Sequence, residues 1–179
     1  MRRSRLLSLA GICIASLGAL AAAAAESSVA PDAERVAKVY MTTFFAGDIK
    51  FAADLMDPRT LERMRESFLS ELVKVTDPEV ERAILANVGI ARTTAELSQV
   101  DAKTLYIAIT LADHRRIPKV VEAMKQAHVD ILGSEPNPAG GVTVRLRTTT
   151  PSPTGTSSKE SGLLMRQVLG EWKVVGNAP

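Results

Sequence analysis

Cysteine is nearly missing from this chain: Cys13 is the only one among 179 residues, and it falls in a stretch that reads as an export signal. A chain starting after that stretch has no thiol, which excludes disulfides, zinc–cysteine sites and a cysteine nucleophile together. Aromatic residues are scarce as well, at four Phe, two Tyr and one Trp. The charges nearly balance, 22 basic against 20 acidic, without the clustered basic face of a nucleic-acid binder. Only two histidines occur, His114 and His128, and neither has a partner at metal-ligand spacing. There is no Gly-x-Ser-x-Gly elbow and no glycine-rich phosphate loop. No cofactor, no metal and no catalytic constellation is therefore expected.

Residues 1–25 have the parts of a secretory signal: Arg2, Arg3 and Arg5, an apolar run from Leu6 to Leu20, and Ala23-Ala24-Ala25 before Glu26. A rival reading makes Leu6 to Ala25 an uncleaved anchor, since 20 residues just span a bilayer. Alanine is a weak membrane residue and the small-residue ending suits signal peptidase, so cleavage after Ala25 is expected. Cys13 follows Ile12, whereas a lipidated cysteine needs a small residue before it. Losing three arginines turns 22 basic residues into 19 against 20 acidic, so the formal +2 becomes −1. The expected product is exported, periplasmic or secreted, and has no stable membrane insertion. Its length suits one domain large enough to hold together by packing.

A short tether over 26–31 precedes a domain over 32–176. Val36, Ala37, Tyr40, Met41, Phe44 and Phe45 recur at three-and-four spacing and predict a helix ended by Gly47. Asp48 caps a short second helix reaching Met56. Asp57-Pro58 and Asp77-Pro78 each place a carboxylate cap before a proline whose missing N–H is harmless in a first turn. The two helices they open carry apolar stripes, Leu61, Met64, Phe68, Leu72 and Val75 in one, Val80, Ile84 and Val88 in the other. Thr93 with Glu96 resembles a capping box. Lys103 to Ala112 fits either a strand or a helix; with Asp101 as cap, helix is the reading taken. Pro118 starts another.

Beyond His128 the apolar period becomes two. Val129, Ile131 and Gly133, then Val142, Val144 and Leu146, form two antiparallel strands around the turn-rich Pro136 to Gly141. Pro151 to Ser161, rich in Ser, Thr, Pro and Gly, predicts a mobile loop. Leu163 to Leu169 and Trp172 to Val175 flank Gly170-Glu171, read as a two-residue hairpin turn. Helices first and strands last predict the α+β class: N-terminal helices packed on one face of a curved C-terminal antiparallel sheet of about four strands.

Two groups of side chains are candidates for binding. Thr143, Arg145 and Arg147 share a strand face, and Asp113-His114-Arg115-Arg116 ends a helix; either set of cations suits a carboxylate or phosphate. The plainer readings are a solvated sheet face and a helix end favoured by the backbone dipole. Tyr40, Phe44, Met64, Phe68 and Trp172 are candidates for an apolar pocket, with helix-to-sheet core as the plainer role.

The closing run Met165-Arg166-Gln167-Val168-Leu169-Gly170-Glu171-Trp172-Lys173-Val174-Val175 resembles the final hairpin of the nuclear-transport-factor-two-like, cystatin-like α+β superfamily, whose exported bacterial members often end in a G-x-W-K-V strand. The resemblance implies a curved sheet and helices enclosing a cone-shaped cavity, used for catalysis, for carrying lipids or small ligands, or for protein contact. In its steroid-isomerase-like members a buried tyrosine works with acids aimed into the cavity, and Tyr40 is the candidate here; the strand acids have no match. The helices between Pro58 and Ala127 exceed the compact family pattern. The expected function is an exported non-catalytic domain recognising a partner protein or a small apolar ligand. A periplasmic lipid carrier and a cavity enzyme are the alternatives.

Overall fold

A computed structural model describes residues 30–152 and 155–178. The expected export signal and most of the expected tether lie outside the described residues. Seven helices precede four strands: α1 (Pro31–Ala46), α2 (Ile49–Asp54), α3 (Pro58–Val73), α4 (Pro78–Val88), α5 (Thr94–Leu97), α6 (Ala102–Arg116), α7 (Pro118–Lys125), β1 (His128–Pro136), β2 (Val142–Ser152), β3 (Gly155–Val168) and β4 (Glu171–Asn177). The strands form one antiparallel meander in the order β1-β2-β3-β4. The α+β class follows directly, with helices packing against the sheet. Among the described residues no helix is long and apolar enough to cross a membrane.

The helix boundaries follow their caps. Asp48, Asp57, Asp77, Thr93 and Asp101 each accept a backbone N–H of the first turn they open. Gly47 and Gly89 end α1 and α4 in the left-handed conformation. Lys103 to Ala112 lies wholly within α6.

The sheet's inner face carries Val129, Val142, Val144, Leu146, Leu163, Met165 and Val174, all buried. Helix α1 crosses this face and touches all four strands, with α7 beside it on β2. Four alanines, Ala33, Ala37, Ala52 and Ala53, are fully buried where α1 and α2 meet this core. Their short side chains let backbone approach closely, and Tyr40, Ile49 and Met56 fill what remains. The space that the family resemblance would leave as a cavity is thus occupied by side chains.

Three strand details differ from the sequence reading. Pro151 to Ser161, expected as loop, is mostly strand: Thr150 pairs with Ser157, Thr149 with Ser158 and Arg147 with Glu160. The exposure of 155–161 on both sides removes the apolar alternation that marks a strand, so composition alone points to a loop. The closing turn is Leu169-Gly170, not Gly170-Glu171, with φ of 52° and 85°. Positive φ at both central residues is the type I′ pattern that matches strand twist. In β1 a bulge at Leu132 shifts the register between Ile131 and Gly133, so Ser134 rather than Gly133 points inward. Ser134 is buried, donates to Glu34 and accepts from the Ala30 N–H, which pins the start of α1 to the sheet.

One connection ties the segment between α2 and α3 to the last strands. The segment before α3 lies parallel to β4: the Val174 N–H donates to Leu55 O and the Asp57 N–H to Val174 O, both at 2.8 Å. Asp57 is 1% exposed, caps α3 through the Arg59 N–H and accepts from Arg166 of β3. The Thr60 hydroxyl donates to Val175 O.

Candidate ligand groove

The helices beyond α3's first turns build a second core. Leu72, Leu85, Val88, Leu97, Leu105 and Ala108 are buried together, with Phe68 and Ile109 packed on them. This departs from the stripe read for α4, where Leu85 and Val88 are buried but Val80 is 47% exposed. Helix α6 is the spine between the cores: Leu105 and Ala108 face the helical one, Tyr106 and Ile107 the sheet side. Arg65 locks the geometry by donating from Nε to Val100 O at 2.9 Å, from Nη2 to Ser98 O and from Nη1 to Glu62. One guanidinium thus joins α3 to the carbonyls that lead into α6.

Between α3 and α6 lies an open groove of about 450 Å³. Its apolar surface comes from Met64, Phe68, Leu105 and Ile109, with Tyr106 in the wall and Glu71 and Asp113 among its charged residues. Met64 is 44% exposed, an unusual state for a methionine in the middle of an apolar stripe. The volume falls within the usual range for small-molecule sites.

Among the sequence-derived pocket candidates, the groove brings together Met64 and Phe68. Tyr40 and Phe44 stay on the sheet side, their rings 6.0 Å apart, and Phe44 meets His114 edge-on at 5.7 Å. Trp172 is half-buried against the sheet core. The anion candidates do not converge. His114 sits against Phe44, Arg115 donates to Asn87 O at the end of α4, and Arg116 lies 3.9 Å from Asp113. On the sheet, Arg147 pairs with Glu160 at 2.7 Å and Arg145 is exposed. Thr143, expected on a solvated face, is buried and accepts from the Asn137 side chain.

Titration is perturbed mainly at Tyr40. Burial, and then the neighbouring Tyr106 phenol, hold its proton far above the ordinary phenol value. Asp101 is lowered by its cap bond to Thr104 and Glu171 by Lys173; neither lines the groove. Among the described residues no group of three or more His, Cys, Asp or Glu is placed to hold a metal.

Two residues of the groove region, Tyr106 and Arg65, carry no signal in the sequence. Tyr106 sits in the run Leu105-Tyr106-Ile107, where every residue has an apolar neighbour and no single face stands out. Arg65 resembles any charged residue on a solvated helix face until its three acceptors are seen. No family model, curated protein or solved structure matches the chain.

Proposed function

We propose that this chain is an exported, non-catalytic binding domain that takes a small apolar ligand into the groove between α3 and α6. The observation that carries the reading is the division of apolar surface. The helix-to-sheet interior is filled, while Met64, Phe68 and Ile109 line an open groove of about 450 Å³. Membership of the nuclear-transport-factor-two-like superfamily belongs to the same proposal, supported by the closing hairpin and the order of helices before sheet. On this reading the chain has packed alanine-rich helices where relatives of that kind hold a cavity, and its ligand sits on the other flank of α6. The filled interior speaks against the carrier and cavity-enzyme alternatives.

The test is titration with a neutral fluorescent apolar probe such as N-phenyl-naphthylamine. Wild-type protein is expected to bind it saturably, and Met64→Glu to weaken binding by about tenfold or more, because a carboxylate would have to lose its water to admit the probe. Met64 is exposed enough for that variant to fold, which circular dichroism checks. Absence of saturable binding, or binding indifferent to Met64→Glu, would overturn the proposal.

A further inference from the structure

Among the described residues, apart from the short end of β2 beyond Thr149, which carries Pro151, the meander has three stretches of edge, and two of them are guarded. Strand β1 is protected by the bulge at Leu132, by the His128–Asp130 pair and by Pro136. The edge of β4 is occupied at Val174 by the segment Leu55 to Asp57. The third stretch is the part of β3 that runs past the end of β4. Strand β4 pairs with β3 only over Leu163–Val168, at the end of β3, so 155–161 has β2 on one side and no described strand on the other. These residues are all exposed. They carry no proline and no register shift against β2, and their only charges are Lys159 and Glu160. An edge this long and regular is what sheet proteins ordinarily avoid.

Its backbone polarity is set by one bond. Ala178 N–H donates to Gly162 O at 2.8 Å, so the backbone groups of Gly162 point away from β2. Alternation along the strand aims those of Glu160, Ser158 and Thr156 the same way. A two-fold axis normal to an antiparallel pair matches residues of equal parity on one face, so a second copy has few registers. Centring on Glu160 opposes two glutamates and requires Gly162, which Ala178 already occupies. Centring on Ser158 opposes Thr156 with Glu160 and Ser157 with Lys159, with no like charges facing.

We infer that 155–161 is a self-recognition edge: two copies of the chain pair β3 with β3 antiparallel about Ser158, joining two four-stranded sheets into one. The interface is narrow, which places it among weak, concentration-dependent contacts.

Sedimentation over about 1 to 500 μM protein tests it, a span that covers transient association. Wild-type protein is expected to pass from monomer to dimer. Ser158→Pro removes an N–H aimed at the open edge and leaves the bonds to β2, so it should shift the midpoint by at least about tenfold. Because a proline can also disturb the strand itself, Ser158→Cys in a Cys13→Ser background gives a second reading. Across the axis its thiols face each other, and mild oxidation should yield a disulfide-linked dimer, while Ser157→Cys on the other face yields far less. Two results would overturn the inference: a protein that stays monomeric throughout, or a dimer that persists in Ser158→Pro while the Ser158→Cys variant forms no disulfide link.

Discussion

The two cores of this protein are built on different principles. The sheet core is assembled from residues far apart in the chain, with α1 against all four strands, and its closeness depends on alanines that bring backbones together. The helical core is built from one continuous run of helices, α3 through α6, and leaves Met64, Val73, Val80, Ile90 and Leu111 substantially exposed. A closed core serves stability; an incompletely covered one leaves surface for something else. The groove lies on the second core, which is why the proposed binding site is on the helices and not on the sheet.

The strongest way to break the comparison is to open a hole in each core. Leu146→Ala, at a site with no solvent exposure, is expected to cost about 3–5 kcal/mol of global stability in urea unfolding. Leu97→Ala is equally buried but should raise hydrogen exchange across α4 to α6 well before the strands lose protection, because local contacts open as separate units. Equal exchange increases in both regions would show one indivisible core.

Cutting the tie between the cores comes next. Asp57→Ala removes the α3 cap, worth about 1 kcal/mol, and leaves Arg166 without its carboxylate. Arg166 keeps 40% of its side chain in solvent, so the total loss should be about 2–4 kcal/mol, short of a fully buried pair. Asp57→Asn should recover the cap share alone.

The seam between the cores is readable by pH. The folded Tyr40 phenol holds its proton far above the ordinary value. Its contribution is therefore complete below the unfolded value of about 10 and is lost as pH rises from there toward the folded one. Stability should fall by about 1.4 kcal/mol per pH unit above about 10 from this group, and Tyr40→Phe should remove that share of the slope in urea titrations at successive alkaline pH values.

The smallest effect lies outside both cores. Leu169 is fully exposed with φ of 52°, a conformation that asparagine adopts more readily. Leu169→Asn should stabilise the closing hairpin by about 0.5–1 kcal/mol, visible as a rise in melting temperature.

Much of this architecture can be read from local chemistry. Five side-chain caps, two glycine stops and the alternating set Val142, Val144 and Leu146 follow from rules that act within a few residues. The misreadings share a cause. The strand over 155–161 is wet on both faces and loses its period; the bulge at Leu132 and the turn at Leu169 are single-residue shifts that pairing decides. The groove is half legible, through Met64 and Phe68. Its other wall depends on Arg65 reaching the carbonyls of Ser98 and Val100, and that is a question of tertiary distance. The second core does not follow from stripes alone, because a stripe shows that a helix is buried without showing against what.

The joint between Asp57 and the last strands bears on how the polypeptide acquires its shape. Asp57 and Arg166 are 109 positions apart, and Val174 lies closer still to the carboxyl end. While synthesis is under way, the helices of the first half therefore lack the strand that anchors them. The bonds that hold the start of α3 to β3 and β4 can therefore close only after Val175 has emerged, the one from the Thr60 hydroxyl spanning 115 positions.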